Sequence, residues 1–336
     1  MALPYIVSAV LLFFIFSLSG QEVSVSISDC LLWEVTDAGV KITKYKDNTA
    51  VLAIPDRIQG VPVTAIGDEA FYRCKTLTEV SIPASVTVIG NRAFYRCVSL
   101  TAITVAEENL QYKSSNGVLF DKNMRKLIQY PAGKSGTAYT IPPSVTAIGE
   151  YAFSECAGIA EVSIPASVTA IGYGAFYWCE NLSRAVIPAS VTVIGTAAFS
   201  GCWSLDAITV AEENLQYKSS NGVLFDKNMR KLIQYPAGKS GTAYTIPSSV
   251  TVIGEWAFSW CGRLDSIHIP LSVTSISDGA FLGCEGFTGV TIPSSVMTVG
   301  EWAFIYCDKL TKVTLSPKTR VGKDAFPKGS RIAYSD

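Results

Sequence analysis

The sequence is poor in the residues that catalyse reactions or hold metal ions. Its 336 residues include a single histidine, His268, and no Ser-His-Asp or Cys-His arrangement can be built from one histidine among unrelated strand positions. Its nine cysteines include no C-x-x-C pair, the short spacing that metal sites use. We therefore expect a protein that is not an enzyme and that carries no metal and no cofactor.

An excess of one charge and a long apolar span are also lacking. The 27 basic and 28 acidic residues give a formal net charge of -1, and no basic run offers a surface for nucleic acid. The segment AGKSGT, Ala132 to Thr137, is not a phosphate-binding loop, because Ile128 stands where that motif needs its first glycine. We expect neither a nucleic-acid partner nor a membrane span in the mature chain.

The N-terminus has the pattern of a secretory signal peptide. The apolar run from Ile6 to Phe16 is short for a membrane span, and Ser17 and Ser19 supply small residues before a cleavage site. The segment MALPY lacks Lys and Arg, so an uncleaved anchor or a misread start is the alternative. We predict a signal peptide at residues 1–19 and export to the periplasm, the cell surface or the extracellular space.

One nine-residue frame recurs along the whole chain. It reads IGDEAFYRC at Ile66 to Cys74, IGEWAFSWC at Ile253 to Cys261 and VGEWAFIYC at Val299 to Cys307. Its cysteines recur at one fixed interval, as from Cys261 to Cys284 and from there to Cys307. Two gaps are longer, Cys97 to Cys156 and Cys202 to Cys261, and they are equal to each other. A fixed period of about 23 residues predicts a solenoid.

A single unit, Leu77 to Cys97, shows what each position of the repeat does. Val80 and Ile82 alternate with polar residues, which predicts a short strand with one inward face, and Pro83 ends it. A second short extended run follows. We expect Gly90 to adopt a turn conformation that a Cβ would penalise. The Phe and the Cys of each frame should fill the interior, and stacked units should bury them together.

Two long identical segments interrupt the period. Ala102 to Pro142 matches Ala207 to Pro247 at every position, which indicates a higher-order duplication. Within each copy, GVLF and KLIQY flank a polar DKN turn and predict a hairpin. We expect these insertions, near residues 106–138 and 211–243, to dock on the solenoid or to add a strand to it.

The combined pattern L-x-x-V-x-I-P, S-V-T-x-I-G and A-F-x-x-C closely resembles the BspA-like leucine-rich repeats, also called the treponemal type. Gly39 to Phe71 is similar to that family's N-terminal cap running into its first repeat. The resemblance implies a leucine-rich-repeat solenoid of 23-residue repeats, mostly β and irregular, with a parallel sheet along its concave face and two hairpin-like insertions. It places an N-terminal cap at residues 20–53, repeats at 54–316 and a C-terminal cap at 317–336.

The cysteines permit two structures. Neighbouring rungs of a solenoid lie about 4.8 Å apart, a distance that disulfides tolerate, and an exported protein meets oxidants. The insertions, however, cut the ladder into groups of two, three and three, so pairing would leave at least two cysteines over. We expect eight free, buried thiols, with Cys30 in the cap unassigned.

Two variable positions of the frame, before Ala-Phe and before Cys, are candidates for partner contacts. They should lie on a flank or on the convex side, where aromatic rings can bind a partner or else cover the rungs themselves. We expect Trp256, Trp260 and Trp302 to be contiguous and Trp178 to lie several rungs away. The candidate aromatic residues are Trp178, Trp256, Trp260, Trp302, Tyr177 and Tyr306.

The concave face offers a second set of candidates. Its outward positions are mostly Ser and Thr, which suit a sheet surface. Charged or titratable side chains interrupt this polar ladder. They are Glu79, Glu161, Arg184, Asp265, His268 and Lys312.

These patterns predict a non-enzymatic, exported module for protein–protein interaction. The family resemblance implies adhesion and binding of host extracellular-matrix proteins such as fibronectin and fibrinogen. The alternatives are a periplasmic or surface scaffold that self-associates as a homo-oligomer, and a glycan-binding protein that uses its exposed tryptophans.

Overall fold

The structure is a computed structural model that describes the backbone of residues 13–18, 21–26 and 30–335, and the side chains of residues 30–335. The predicted signal peptide, residues 1–19, therefore lies largely outside the described residues. The chain divides into two compact units, Met1–Lys122 and Asn123–Asp336. Between residues 31 and 335 the regular structure is entirely β.

The described residues of the first unit form twelve strands. They are β1 Phe13–Leu18, β2 Gln21–Ser26, β3 Leu31–Thr36, β4 Gly39–Tyr45, β5 Val51–Ala53, β6 Arg57–Ile58, β7 Val61–Ile66, β8 Glu79–Ile82, β9 Val88–Ile89, β10 Ala102–Val105, β11 Tyr112–Ser115 and β12 Val118–Asp121. The antiparallel pairs are β1–β2, β3–β4, β6–β7 and β11–β12. The parallel rows are β4–β7–β9 and β5–β8–β10.

Residues 123–335 of the second unit form twenty strands. They are β13 Lys126–Gln129, β14 Ala138–Thr140, β15 Ala147–Ile148, β16 Glu161–Ser163, β17 Ala170–Ile171, β18 Arg184–Ile187, β19 Val193–Ile194, β20 Ala207–Val210, β21 Tyr217–Ser220, β22 Val223–Asp226, β23 Lys231–Gln234, β24 Ala243–Thr245, β25 Val252–Ile253, β26 Ser266–His268, β27 Ser275–Ile276, β28 Gly289–Thr291, β29 Thr298–Val299, β30 Lys312–Leu315, β31 Arg320–Val321 and β32 Arg331–Tyr334.

Each rung of the second unit contributes two short strands, and both rows are parallel. The L-x-x-V-x-I strands form the strand face, where pairing is confined to the groups β14–β16, β18–β20, β24–β26 and β28–β30–β32. The two-residue strands of the second run pair more continuously, as β13–β15–β17–β19 and β23–β25–β27–β29–β31. The predicted solenoid with parallel sheets is therefore confirmed.

Stacked aromatic rings form the axis of the core. Phe258, Phe281 and Phe304 are fully buried, and successive ring centroids in this series lie 4.8 Å apart. Tyr235, from the second insertion, stacks on Phe258 at 5.1 Å and so takes the place that Phe holds in a regular rung. Because one ring repeats every rung, no rung can bury its own phenyl group alone, and stacking supplies the core.

The cysteines are thiols in the structure, and all nine are buried. In the regular rungs the Sγ atom donates to the carbonyl oxygen of the Phe in the preceding frame, as Cys202 does to Phe176 at 3.1 Å and Cys284 does to Phe258 at 3.1 Å. Burial raises the pKa of Cys202 from its ordinary value of 9.0 to about 12. Each thiol thus fills a small apolar space and satisfies one carbonyl of the preceding rung.

The second insertion adds an extra rung to the solenoid. The predicted hairpin is present as the antiparallel pair β22–β23, and β23 continues into the solenoid by pairing in parallel with β25. The sequence prediction missed β21, which pairs with β22 across a tight turn at Asn221 and Gly222. Both turn residues have positive φ, 50° and 78°, as a type I′ hairpin requires.

Gly90 is required for a reason that differs from the predicted one. Its φ is not in the left-handed region. A Cβ at this position would lie 2.4 Å from the backbone nitrogen of Asp68. The turn explanation is therefore wrong, because close approach between neighbouring rungs is what excludes a side chain here.

No helix in the described part of the chain has the length and apolarity needed to cross a membrane.

Candidate binding site

The two variable positions of the frame share an unusual backbone conformation. We call the segment from the frame's Gly to its Cys the corner loop, as in Gly254 to Cys261. In every Cys-terminated rung of the second unit, both positions are left-handed, with φ between 54° and 73°. The residues concerned are Tyr151, Gly174, Ala197, Trp256, Gly279 and Trp302 before Ala-Phe, and Glu155, Trp178, Gly201, Trp260, Gly283 and Tyr306 before Cys.

Hydrogen bonding between rungs accounts for this conformation. The left-handed residues turn their N–H groups along the stacking axis, so that Trp178 N donates to Ser200 O at 2.9 Å and Trp260 N donates to Leu282 O at 2.7 Å. The N–H groups between them donate within the same corner loop and close its turns, as Cys261 N donates to Phe258 O at 3.1 Å. The corner loops are therefore stacked by backbone hydrogen bonds as well as by their apolar side chains.

An aromatic residue in such a position is held against its backbone preference. The left-handed conformation costs an L-residue about 1–2 kcal/mol, whereas glycine adopts it freely. The chain uses glycine at the same positions in neighbouring rungs, Gly201 and Gly283. Since the backbone alone would favour glycine, the rings of Trp178, Trp260 and Tyr306 need a separate reason, and strained residues concentrate at functional sites.

Two of these tryptophans lie over the glycine of the next rung. A Cβ on Gly201 would come within 2.2 Å of Trp178 Cδ1, and a Cβ on Gly283 would come within 2.5 Å of Trp260 Cε3. The bare glycine backbone therefore makes the space in which each indole rests. Trp178 and Trp260 are half-buried as a result.

The rings join into a continuous row that we call the aromatic row: Tyr177, Trp178, Trp203, Trp260 and Tyr306. Trp178 meets Trp260 edge to face at 5.6 Å and Trp203 at 5.5 Å, measured between ring centroids. Tyr177 stacks on Trp178 at 5.9 Å, and Trp260 stacks on Tyr306 at 6.4 Å. The expectation that Trp178 lies apart from the other tryptophans is wrong.

The second insertion brings Trp178 and Trp260 together. Its rung crosses this side of the solenoid in the short segment Gln234 to Gly238, which lacks a corner loop. The corner loops on either side close over that segment, and Ser200 Oγ and Ser259 Oγ form a buried hydrogen bond of 2.6 Å. Trp178 and Trp260 are therefore in contact, although an uninterrupted repeat would separate them by several rungs.

A cleft of about 440 Å³ opens beside the row. Three indoles form its walls, and one positive and one negative side chain stand at its edge. Its lining residues are Trp178, Trp203, Ala237, Trp260, Gly262, Arg263, Gly283 and Glu285. Arg263 is oriented by a hydrogen bond from its Nη1 to Gly238 O at 3.1 Å.

One polar atom of the cleft lacks a protein partner. The indole N–H of Trp260 is buried and has no acceptor among the described residues. Buried indole N–H groups normally find an acceptor, so an unsatisfied N–H on a residue that lines the cleft is unusual.

Sequence reasoning missed Trp203, which is 40% exposed and forms one wall of the cleft. Trp203 follows Cys202 directly and so lies outside the two positions that the frame marked as variable. A comparison of the residue after each cysteine would have found it, since Trp203 is the one aromatic residue in that position.

The remaining aromatic candidates lie outside the cleft lining. Trp302 is 43% exposed and Tyr306 is 57% exposed. Trp256 is half-buried and packs over Gly279, whose Cβ would lie 3.3 Å from the indole. Both tryptophans occupy the position before Ala-Phe, on a line parallel to the aromatic row.

The first unit has arginine at three of the four equivalent positions, Arg73, Arg92 and Arg96, and Glu69 at the fourth. Arg92 lies over the ring of Tyr95 at 4.9 Å, and Arg73 lies over Tyr72 at 5.2 Å. The two tyrosine rings stack at 5.9 Å. These cation–π contacts cover the corner loops of that unit.

The strand-face candidates are exposed and spread over several rungs. In the second unit, Asp265 and His268 share one rung, and Glu161, Arg184 and Lys312 each lie on another; Glu79 lies in the first unit. Asp265 precedes β26 instead of lying within it. Lys312 pairs with Arg331 across β30 and β32, which makes the end of this face locally basic.

A second cavity, of about 320 Å³, lies on the other side of the insertion. Thr196 Oγ1 and Glu255 Oε2 lie 3.4 Å apart at its wall, and Asp226 and Lys231 also line it. Among residues 30–335 no three His, Cys, Asp or Glu side chains are grouped as metal ligands.

Comparison with solved structures finds bacterial leucine-rich repeat proteins. A leucine-rich cell surface protein from Faecalibacterium prausnitzii A2-165 is 28% identical, with a TM-score of 0.56 over 92% of this chain and 96% of that one. A leucine-rich repeat protein from Eubacterium ventriosum ATCC 27560 is 24% identical, with a TM-score of 0.53 over 77% of each chain. The pneumococcal vaccine antigen PcpA is 19% identical, with a TM-score of 0.54 over 92% and 89%. The last two share the fold alone.

No curated protein matches the chain. The model of the BspA-type leucine-rich repeat region matches in six copies, at residues 52–127, 132–237 and 237–334. These matches cover most of the chain and include the rungs that build the aromatic row. The chain belongs to the BspA-type leucine-rich repeat family.

Proposed function

We propose that the protein is a non-enzymatic, exported binding module that contacts a host extracellular protein through its aromatic row, in the manner of an adhesin. The observation that carries this proposal is the row itself. Three of its residues, Trp178, Trp260 and Tyr306, are kept in a strained backbone conformation that glycine would relieve.

The composition and rigidity of the row support a contact surface. Trp, Tyr and Arg dominate the binding energy of protein interfaces, and the cleft edge adds Arg263 to the rings. Corner loops that are hydrogen-bonded from rung to rung hold the rings in place before binding. Less conformational entropy is then lost when a partner docks.

Two observations support export to the cell surface. Residues 1–19 have the pattern of a secretory signal peptide. The related protein from Faecalibacterium prausnitzii is described as a cell surface protein and aligns over 92% of this chain. The strand face, with Glu161, Arg184 and Lys312 exposed, is the rival contact surface in this proposal.

The test is size-exclusion chromatography with light scattering on the purified chain, alone and mixed with fibronectin, fibrinogen and other matrix proteins. We expect a co-eluting complex with at least one of them. Tyr306→Ala, which removes an exposed ring, should weaken that complex at least tenfold by biolayer interferometry, and Lys312→Ala on the strand face should leave it within twofold.

Two outcomes would contradict the proposal. A concentration-dependent oligomer that binds no matrix protein would favour a self-associating scaffold. A complex that Lys312→Ala weakens and Tyr306→Ala leaves intact would move the contact to the strand face.

A further inference from the structure

We propose that the cleft between Trp178, Trp203 and Trp260 binds an uncharged pyranose ring of a glycan. The cleft lies beside the aromatic row, which is the proposed binding surface, so a sugar ring would be one chemical group that this surface recognises. The sugar site rests on the proposed function only for the source of the sugar, a glycosylated host protein.

The walls of the cleft suit the apolar face of a sugar. A pyranose presents several C–H groups on one face and hydroxyl groups around its rim, so it stacks on an aromatic ring and binds polar groups at its edge. Trp203 is tilted by 46° from Trp178, and Trp260 is perpendicular to Trp178, at 89°. The three indoles therefore enclose a ring-shaped ligand from different directions, and Trp203 remains 40% exposed.

The charges at the edge suit a ligand that has many hydroxyls and no net charge. A hydroxyl group both donates and accepts, so it can donate to the carboxylate of Glu285 and accept from the guanidinium of Arg263. The bond from Arg263 Nη1 to Gly238 O fixes the orientation of that guanidinium before a ligand arrives. The opposite charges of Arg263 and Glu285 balance each other, so together they give the edge of the cleft no net charge.

The orphan N–H of Trp260 supplies an independent indication of a ligand. The atoms of Trp260 nearest to Gly283 are Cε3, Cδ2 and Cζ3, on the six-membered side of the indole. The N–H edge of the same indole is therefore directed away from that glycine, and it meets no acceptor in the described part of the chain. A small rotation of the indole would turn this N–H toward the cleft, where a sugar hydroxyl would accept its hydrogen bond.

The dimensions agree with a small-ligand site. The volume of about 440 Å³ lies within the range of about 300–1,000 Å³ that ligand sites occupy. Because Trp203 and Glu285 are exposed, the cleft opens to solvent, and the rest of an oligosaccharide could continue outward from a bound ring.

The experiment is a glycan array probed with the intact chain, followed by calorimetric titration of the best oligosaccharide. Trp203→Ala removes one wall, and Glu285→Gln keeps the shape of the side chain but removes its charge. Trp302→Ala is the matched control, since Trp302 is an exposed tryptophan that does not line the cleft. We expect Trp203→Ala and Glu285→Gln to weaken binding at least tenfold and Trp302→Ala to leave it within twofold.

Folding is checked separately, because a variant that unfolds would also lose binding. Trp203 lies at the surface, so its removal should lower the thermal midpoint only modestly and leave the circular dichroism spectrum that of a folded chain. Tryptophan fluorescence of the unmodified chain should shift to shorter wavelength when the oligosaccharide binds, since the cleft indoles would then leave water.

Three results would overturn the inference. The first is an array on which no neutral glycan binds. The second is a glycan whose affinity is the same for the unmodified chain and for Trp203→Ala. The third is tighter binding of choline than of any sugar, which would identify a site for a quaternary ammonium group.

The source of the sugar is tested with a matrix glycoprotein before and after enzymatic deglycosylation. Loss of the complex on deglycosylation would support both proposals. A complex that survives deglycosylation and Trp203→Ala would leave the protein-binding proposal standing and refute the glycan site. Isolated oligosaccharides that bind when no matrix protein does would refute the protein-binding proposal and support the glycan site.

Discussion

The left-handed backbone of the corner loops predicts that a glycine variant is more stable than an alanine variant at a corner-loop position, and less stable at an ordinary position nearby. Tyr306 has φ 59° and is 57% exposed, and replacement by Ala or by Gly removes the same ring, so the packing lost is the same in both variants. Replacement by Ala keeps the strain of about 1–2 kcal/mol, and replacement by Gly removes it. Glycine also raises the entropy of the unfolded chain, which offsets about 0.4–1 kcal/mol of that gain. Taking the middle of each range, Tyr306→Gly should therefore be more stable than Tyr306→Ala by about 0.8 kcal/mol.

Asp308, two positions later, provides the control. It is exposed and its φ is not positive, so no strain is relieved there. Asp308→Ala should be more stable than Asp308→Gly by about 0.4–1 kcal/mol, the reverse of the order at Tyr306.

The assay is urea denaturation of the four variants, followed by circular dichroism and compared through midpoints measured with a common slope. A long repeat array can unfold in more than one step, so each pair of variants is compared only at its own position. Equal or greater stability of Tyr306→Ala over Tyr306→Gly would refute the claim that the corner loops hold aromatic residues under strain.

Three further predictions concern the core. Ser200→Ala and Ser259→Ala should each destabilise the chain by about 1–2 kcal/mol, and the double variant by less than their sum; additive losses in a urea double-mutant cycle would contradict the buried hydroxyl pair. Phe281→Ala should lower the free energy of unfolding by about 3–5 kcal/mol, and a loss below about 1 kcal/mol would refute the ring stack. Folding raises the pKa of the Cys202 thiol from 9.0 to about 12, so the stability that comes from keeping this thiol protonated is complete below pH 9 and is lost as the pH rises toward 12. The melting temperature should therefore fall over that pH range. Maleimide labelling of the native chain at pH 8 should be slow, and rapid labelling would show an open core.

The repeat period was sufficient to predict the solenoid, its inward strand positions and its stacked interior. Val80 and Ile82 are buried, and Phe258 and Cys261 lie in the core. These positions are predictable because one face of every rung must leave water, so apolar residues recur at the same places.

The cleft was not predictable from the same pattern. Its two central rings, Trp178 and Trp260, are far apart in the sequence, and they meet only because the second insertion lacks a corner loop. The left-handed backbone of the corner loops could not be predicted from the sequence for a different reason. Aromatic, charged and glycine residues alternate at those positions, so no residue preference marks the conformation, and hydrogen bonding between rungs imposes it.

Hydroxyl-radical footprinting of the chain with and without its partner tests the binding surface most directly, because oxidation reports the exposure of individual aromatic side chains. We expect oxidation of Trp203 and Tyr306 to fall sharply in the complex and oxidation of His268 on the strand face to be unchanged. Protection of His268 with no change at Trp203 or Tyr306 would contradict the account and place the partner on the strand face.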